Sequence, residues 1–235
     1  MNYIDIITDK KMNKQQFVIF IFFKLDSKWR QLAGEAKKKG HEEFIRELKI
    51  RDSQITINIY STIGLKANTD FMFWITAHSI DLMQELISRL LNMGLGKYLE
   101  ISHTMLGLIR NSVYAQKDKV GEQPIRSGRR SRYLIVYPFT KTKEWYLLER
   151  DIRQEMMDRP IGIGRAFPSI SQTLAYSFGL DDNEFIVSYE TENLADFQDV
   201  VKALRETKAR LYTLNDIPVF VGINRTAEEL ANLLG

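Results

Sequence analysis

Tyr137 and Lys141 stand four residues apart, in and just after the apolar run YLIVYPF at 133–139. A phenol can give up an electron and a proton together, and an ammonium is a compact positive charge that matches a carboxylate. Side chains at even spacing lie on one face of a strand, so both groups are predicted to face one cavity. The alternative, a core tyrosine followed by a surface lysine, stays open at this point.

A second stretch that could form a functional site is MMDRPIGIGR at 156–165, whose glycines raise the question of a phosphate-binding loop. Such a loop needs a strand before its glycines and a helix after them, because the pyrophosphate rests on the helix N-terminus. Here a helical pattern precedes the glycines, Phe167 occupies the place of a third glycine, and Pro168 disfavours a following helix. We therefore interpret Pro160 and the two glycines as the end of a helix after Met157.

Composition limits the classes of protein and of site. The chain has 235 residues, 44% of them apolar, with thirteen Phe, ten Tyr and three Trp, which favours sheet packing and aromatic-lined cavities. It has no cysteine, so disulfides, thiolate nucleophiles, Cys-zinc sites, iron–sulfur clusters and thiolate-ligated haem are excluded. The apolar run at 17–23 is too short to span a bilayer and no small-residue cleavage site follows it, so we expect a cytoplasmic protein without a membrane segment.

Charge is concentrated in one segment. The net charge is +3, and residues 110–132 hold seven Lys/Arg against two Asp/Glu, which gives this segment +5. Charge runs with Gly, Ser and Gln are typical of solvated linkers, and a local anion site is the alternative. The segment lacks the interleaved aromatic residues that stack on bases, so we do not expect a nucleic-acid partner.

Hydrophobic periodicity predicts the order βαββαβ twice. The predicted elements of the first half are a strand at 16–25, a helix from Ser27 to about Lys49, strands at 54–60 and 71–78, a helix begun by Ser79, and an extended segment from Lys97 to Tyr114. Those of the second half are a strand at 133–139, a helix at about 143–158, the strands SQTLAYSF and FIVSYE, a helix capped by Asn193, a strand at 217–222, and a short helix whose Thr226 and Glu229 form a capping box.

This order predicts an α+β fold of tandem ferredoxin-like repeats, of the dimeric α/β-barrel type, with antiparallel sheets and helices on the outside. The expected domains are an N-terminal half at 1–115, a basic linker at 116–132 and a C-terminal half at 133–235. The space between the sheets, inside the barrel, is the expected ligand cavity.

Several segments of the second half together resemble the chlorite dismutase and coprohaem decarboxylase family, whose members handle haem. They are YPFTKTKEWYLL at 137–148, MMDRPIGIGR, YSFGLDDNEF at 176–185, and the run from ADFQ to PVFVG at 195–222. The resemblance covers residues 131–222 in sequence, and the first half by architecture only. It implies haem or coprohaem as cofactor, peroxidase-like oxidoreductase chemistry and a homo-oligomer, specifically a homopentamer.

Carried over by position, the resemblance assigns roles to single residues. Tyr137 falls on the tyrosine that becomes a radical and attacks the propionate in decarboxylating members, and Lys141 falls on the lysine that positions that propionate. Gln172 falls where decarboxylating members keep a distal glutamine and chlorite-dismutating members an arginine, which disfavours chlorite decomposition because a neutral amide holds an anionic oxidant less strongly. Trp145 matches a helix tryptophan of the family, and plain core packing is an equal interpretation.

The basic segment supplies further candidates for contacts with porphyrin propionates. Tyr114 is one, and the arginines are Arg126, Arg129, Arg130 and Arg132.

The resemblance breaks at the proximal ligand. Aligning the segments on either side places Pro160 where the family has the histidine that ligates iron, and proline offers no donor for iron. The chain has three histidines, His41, His78 and His103, each isolated in the sequence, and His103 is the best placed of them to point inward from a strand. Ligation by Tyr or Met stays open, and no metal ligand is assigned.

Two main functions are consistent with these residues. One is a haem- or coprohaem-binding oxidoreductase, nearer to coprohaem decarboxylases than to chlorite dismutases. The other is a degenerate, non-haem member that binds a small ligand or acts in assembly. An anion- or nucleic-acid-binding role for the basic segment is a third, weaker alternative.

Overall fold

The computed structural model of the protein describes residues 16–49, 54–110, 114 and 130–235. The first half contains β1 (Gln16–Leu25), α1 (Lys28–Gln31), α2 (Gly34–Leu48), β2 (Ile55–Ser61), β3 (Phe71–Ala77), α3 (Ile80–Leu91) and β4 (Leu99–Ile109). The second half contains β5 (Tyr133–Lys141), α4 (Lys143–Leu147), α5 (Arg150–Ala166), β6 (Ile170–Tyr176), β7 (Phe185–Thr191), α6 (Leu194–Arg205), β8 (Thr213–Asn215), β9 (Phe220–Arg225) and α7 (Ala227–Leu234). Turns of 3-10 helix at Gly94–Tyr98 and Lys208–Tyr212 precede β4 and β8.

The predicted α+β fold of repeated βαββαβ units is confirmed by the strand order. The first half pairs its strands as β4-β1-β3-β2 and the second as β6-β7-β5-β9, so both halves share one ferredoxin-like order, and every pairing is antiparallel. Two seams, β4 with β6 and β2 with β9, join the halves into a closed barrel of eight strands. Short β8 extends the sheet from the end of β5.

The interior of the barrel is a packed core, so the prediction of a ligand cavity between the sheets is wrong. Large side chains from both halves fill it, among them Phe20, Phe22, Trp74 and Phe220, each at most 1% exposed. Phe22 and Phe220 lie with ring centroids 4.0 Å apart, and Phe20 stacks on Trp74 at 5.2 Å. Inward side chains of an eight-stranded barrel are enough to fill it, and here they leave no room for a flat guest.

The outer faces of the two halves are covered to different extents. On the first half, the helices bury a large cluster that includes Trp29, Phe44, Phe73 and Leu90. On the second half, the corresponding cluster of described residues has three buried members, Ile135, Val187 and Tyr189. The outer face of the second half is therefore less covered than that of the first.

Two predicted helices differ from the observed ones. The expected helix from Ser27 to Lys49 is interrupted at Leu32 and Ala33, whose ψ angles of 150° and 146° are extended. The expected helix at 143–158 is likewise divided into α4 and α5 by extended residues at Leu148 and Glu149.

The predicted helix end after Met157 is wrong, because α5 continues through Pro160 and both glycines to Ala166. A proline inside a helix removes one N–H donor, which weakens the helix without always ending it. The glycines have open space around them and tolerate helical backbone. The helix stops instead before Pro168, which restricts Phe167 to a non-helical conformation with φ −120° and ψ 71°.

The predicted helix starts at the other caps are confirmed. The side chains of Ser79 and Asn193 accept hydrogen bonds from the backbone N–H groups of Asp81 and Ala195. Thr226 begins α7 with a complete capping box, as the sequence pattern predicted.

Among the described residues, no helix is both long and apolar enough to cross a bilayer. Most of the basic segment at 110–132, including Arg126 and Arg129, lies outside the described residues.

Candidate functional site

The outer face of β5, β7 and β6 carries most of the predicted site residues. Strand register places Tyr137 opposite Val187, which in turn lies opposite Leu174. Two residues further along each strand, Ile135 lies opposite Tyr189, which lies opposite Gln172. Because alternate residues of neighbouring strands share a face, Tyr137 and Gln172 lie on one side of the sheet, as the sequence required.

Tyr137 lies against Tyr189, with ring centroids 6.2 Å apart and the planes inclined by 25°. Burial raises the pKa of the Tyr137 phenol, and the Asp216 carboxylate acts in the same direction, while Tyr189, Arg205 and Arg210 oppose them. Burial also raises the pKa of Tyr189 well above its ordinary value. Both phenols are therefore protonated at neutral pH, and they form a tyrosine pair in which Tyr189 is buried and Tyr137 half-buried.

Lys141 is buried at the end of β5, with 8% of its surface exposed. The pairing of β5 with β8 has a register shift between Thr140 and Lys141, and Lys141 Nζ donates a 2.9 Å hydrogen bond to the carbonyl oxygen of Ala209. Nζ also lies 4.3 Å from the ring centroid of Trp145 and 5.2 Å from that of Phe139. An ammonium has three donors, so Lys141 keeps further capacity to bind a carboxylate.

The pKa of Lys141 is lowered from 10.5 to about 8. Burial is the largest cause and the positive charge of Arg210 adds to it, while the Glu184 carboxylate acts in the opposite direction. The ammonium is thus the predominant form at pH 7 but is held in an environment that favours the neutral amine. An anionic ligand beside Nζ would stabilise the ammonium and raise the pKa of Lys141.

A charged cluster borders Tyr137 and Lys141. Arg210 donates a 2.6 Å hydrogen bond to the Asp216 carboxylate, and Arg205 lies 3.1 Å from the same oxygen. The charges of both arginines and of Asp216 act on the pKa of Tyr137. One carboxylate faces two guanidinium groups here, so this cluster carries a net positive charge.

Helix α5 lies over this face without closing it. None of its 17 residues is buried, and its main contacts are with α6 and with the turn Lys208–Tyr212. Its less exposed residues recur at three- and four-residue spacing and form a broad stripe of Arg153, Gln154, Met156, Met157, Pro160, Ile161 and Ile163. Pro160 therefore belongs to the stripe of α5 that faces the molecule.

Gln172 is exposed, whereas its cross-strand neighbour Tyr189 is buried. Three residues connect the end of α5 at Ala166 to the start of β6 at Ile170. Pro160 is about 9 Å back along α5 from Ala166, and Gln172 is about 7 Å along β6 from Ile170. Pro160 and Gln172 thus belong to consecutive elements of the second half, and we call the space between α5 and the outer face of β5, β6 and β7 the cleft.

Trp145 and Tyr114 form one end of this cleft. Trp145 is 2% exposed and packs on Tyr212 and Tyr114, at centroid distances of 5.6 and 6.3 Å. The backbone carbonyl of Tyr114 accepts a 3.1 Å hydrogen bond from the Gln154 side chain on α5. Trp145 therefore contributes both to the core and to the surroundings of the Lys141 ammonium.

Of the four arginines proposed for propionate contacts, the two that the structure describes, Arg130 and Arg132, lie elsewhere. Arg130, a candidate for contact with a porphyrin propionate, has its guanidinium inside the barrel, where it pairs with Glu190 at 2.8 Å and covers the Trp74 ring at 4.3 Å. A buried carboxylate on β7 attracts it inward, which the sequence pattern did not indicate. Arg132 is exposed before the start of β5, with its guanidinium 5.1 Å from the Tyr133 ring and about 30 Å of strand between it and Lys141.

None of the three histidines joins the site. His41 packs on Trp29 among the helices of the first half, and burial lowers its pKa. His103 lies at the end of the barrel interior, 5.1 Å from the Phe220 ring, and His78 follows β3 in the first half. The described residues contain no cluster of His, Cys, Asp or Glu suited to holding a metal ion.

Sequence reasoning missed several members of the site: Tyr189, Arg205, Arg210, Asp216, and Tyr146 with Glu184. Tyr189 had a signal, because alternation in FIVSYE places it on the same face as Val187. Tyr146 donates a 2.5 Å hydrogen bond to Glu184, which also accepts from the backbone N–H of Lys141. These pairings join residues about forty positions apart, so no local pattern reveals them.

A separate groove of about 840 Å³ lies on the first half, between α3 and the outer faces of β1 and β4. Its walls are mainly aliphatic, from Ile19, Ile21, Ile80 and Met83. It contains none of the predicted site residues, so the groove is distinct from the cleft under α5.

Comparisons with known proteins agree with this architecture. A sequence model of the family described as chlorite dismutase matches residues 33–225. A coproheme decarboxylase from Mycolicibacterium smegmatis is 29% identical over 84% of this chain and 86% of its own, and a chlorite dismutase from Ideonella dechloratans is 22% identical over 93% and 79%. The crystal structure of a mutant chlorite dismutase from Candidatus Nitrospira defluvii superposes with a TM-score of 0.86 at 25% identity, covering 93% of this chain and 95% of that one. A structure of the same enzyme in complex with imidazole gives 0.85 at 26% identity, covering 93% and 94%. The chain belongs to the chlorite dismutase family.

Proposed function

We propose that the chain binds a haem-type porphyrin with carboxylate side chains in the cleft between α5 and the outer face of β5, β6 and β7. The observation that carries this proposal is the buried Lys141 ammonium, which lies among Phe139 and Trp145 on a face that α5 leaves open. A flat apolar ring suits the aromatic wall, and a carboxylate suits the ammonium. Family membership and the coproheme decarboxylase relative support the same class of ligand.

Of the two activities that its relatives are named for, we propose that this site is nearer to the coproheme decarboxylase. Gln172 presents a neutral amide to the cleft, so the wall formed by β6 has no fixed positive charge that would hold an anionic oxidant such as chlorite. The positive charges lie instead beside Tyr137, where Lys141, Arg205 and Arg210 favour the carboxylates of a ligand.

The residues fit the ring and carboxylates of a porphyrin but not its iron. Pro160 on the inward stripe of α5 has no donor atom in its side chain, and the histidines lie outside the cleft. We therefore assign roles only to side chains of this protein. Lys141 anchors a carboxylate, Gln172 donates or accepts a hydrogen bond above the ring, and Tyr137 is the candidate redox residue, a half-buried phenol that can give up an electron and a proton together.

An absorbance titration with ferric coproporphyrin and ferric haem tests the binding proposal. Saturable binding with a shifted Soret band is expected for the wild type, and binding at least tenfold weaker for Lys141→Met. The matched control is Lys143→Met, two residues away at an exposed position, which should bind as the wild type does. Flat spectra for the wild type, or equal binding by Lys141→Met, would contradict the proposal.

Peroxide added to the complex with ferric coproporphyrin tests the decarboxylase assignment. Loss of carboxylate mass from the ligand, abolished by Tyr137→Phe, is the expected result, measured by mass spectrometry. Tight binding without any change of mass would remove this assignment and leave a carrier.

The second candidate function is a non-haem member that binds another small ligand or acts in assembly. One observation favours it: Pro160 occupies the inward face of α5, where iron ligation would need a donor. Saturable binding of either ferric porphyrin would exclude this candidate. We also propose a homo-oligomer, specifically a pentamer of the 27.4 kDa chain, which light scattering would measure.

A further inference from the structure

The less exposed face of α5 has apolar side chains around position 160, where the family resemblance places the iron ligand. Pro160 is flanked on this stripe by Met156 one turn before and Ile163 one turn after. The proline ring has no lone pair to share, and its nitrogen carries no hydrogen. The carbonyl of Met156 loses its usual partner as a result, and a neutral carbonyl favours hard ions such as Mg²⁺ or Ca²⁺ over iron.

The opposite wall of the cleft does not supply a ligand either. Half-buried Tyr137 packs on buried Tyr189, and ligation of ferric iron would require a phenolate, which the removal of these phenols from water disfavours. Gln172 offers an amide, a weak partner for iron. The groups that remain for recognition are Lys141, the two arginines around Asp216, and the aromatic rings.

We propose that the cleft recognises the carboxylated macrocycle and not its metal, so that a metal-free porphyrin binds as tightly as its iron complex. This inference rests on the proposed function and specifies its ligand class: flat tetrapyrroles with anionic side chains, with or without a metal. All attractive contacts that the described residues offer are directed at the carboxylates and the faces of the ring. A metal held in the ring would have Pro160 of α5 and Gln172 of β6 as its neighbours, and neither side chain would supply a strong ligand.

A comparison of coproporphyrin III with its ferric complex tests the proposal on the wild-type protein. Dissociation constants within about threefold of each other are expected, from quenching of porphyrin fluorescence for the free base and absorbance for the ferric form. A bond from the protein to iron would make the ferric form at least tenfold tighter, or about 1.4 kcal/mol. Ferric binding tighter by that factor would overturn the proposal, whichever residue supplied the ligand.

A substitution at position 160 provides the complementary measurement. Pro160→His restores a backbone donor in α5 and places an imidazole on its inward stripe. Ferric coproporphyrin should then bind at least tenfold tighter, with a Soret band typical of nitrogen ligation, while the free base binds as before. Pro160→Ala is the matched control and should change neither affinity. A Pro160→His protein that treats both porphyrins as the wild type does would also overturn the proposal, because position 160 would not face the metal.

The outcomes separate this inference from the proposed function. If neither porphyrin binds, the proposed function fails and the inference fails with it. If both bind but the ferric form is strongly preferred, only the inference fails. The wild-type comparison requires no variant, so a Pro160→His chain that did not fold would not prevent a decision.

Discussion

Replacing Lys141 with methionine should change how the stability of the protein depends on pH. In the folded protein the pKa of this lysine is about 8, and its ordinary value is 10.5. Below pH 8 the lysine is protonated in both the folded and unfolded states, and burying its charge costs a constant free energy. Between pH 8 and 10.5 the unfolded state binds more protons than the folded state, so the free energy of unfolding rises with pH. The difference between the two pKa values corresponds to a rise of at most about 3 kcal/mol in the free energy of unfolding.

Chemical denaturation at a series of pH values from 7 to 10.5 measures this effect. The free energy of unfolding of the wild type, minus that of Lys141→Met, should rise by up to about 3 kcal/mol across the range. Methionine keeps contact with Trp145 and Phe139, and loss of the hydrogen bond to Ala209 does not depend on pH, so neither alters the slope. Other groups that titrate near pH 10 are present in both proteins and cancel.

The same series with Lys143→Met provides the control, because Lys143 is exposed two residues further on. Its difference from the wild type should stay flat within error. A flat difference for Lys141→Met as well would refute the reasoning, since it would show that the Lys141 ammonium is not buried. Porphyrin binding should weaken above pH 8 for the same reason, as the ammonium that anchors the carboxylate is lost.

Three further predictions concern stability. The side chains of Arg130 and Glu190 are 8% and 10% exposed inside the barrel, so Arg130→Ala leaves a buried carboxylate without its ion-pair partner and should lower the free energy of unfolding by about 3–5 kcal/mol in urea denaturation. The double variant Arg130→Met/Glu190→Gln should recover most of this loss. No recovery would show that the pair is not coupled. Pro160→Ala should raise the melting temperature, with up to about 3 kcal/mol of added stability, because proline disfavours the helix interior; an unchanged melting temperature would mean that α5 does not continue through residue 160. Thr226→Ala removes the capping box of α7 and should cost about 1 kcal/mol, whereas Thr226→Ser should cost much less, and equal losses would contradict the capping role.

The repeat and its strands could be predicted because hydrophobic period and caps are local properties. The helix starts at Ser79, Asn193 and Thr226 depend on a side chain and an N–H two or three residues later, all visible in the sequence. In the same way, the alternation of side chains along the strand predicted which of them share a face with Tyr137. The closure of the two sheets into one barrel depends on the seams of β2 with β9 and β4 with β6, which join distant parts of the chain.

The continuation of α5 could not be predicted, because its sequence contains both signals of a helix end. Local rules treat Pro160 and the glycines as a stop, but the helix is supported by α6 and by the turn at Lys208–Tyr212. Such tertiary contacts outweigh the few kcal/mol by which proline and glycine disfavour a helix. This difference matters for the site, since a helix that ended at Met157 would not carry Pro160 into the cleft.

The position of the candidate site was predicted in part. The sequence correctly placed Tyr137 and Gln172 on a common face but located their cavity inside the barrel, which Phe20, Phe22 and Trp74 fill. Periodicity shows which side chains share a face and does not show which face of a sheet is inside. That assignment follows only from how the sheets close.

The account depends most directly on where a porphyrin lies when it is bound. A crystal structure of the protein with coproporphyrin III is expected to show the ring between Pro160 and Gln172, with one carboxylate at hydrogen-bonding distance from Lys141 Nζ. A ring bound in the groove between α3 and β1, or in the cleft with its carboxylates directed away from Lys141, would contradict the account.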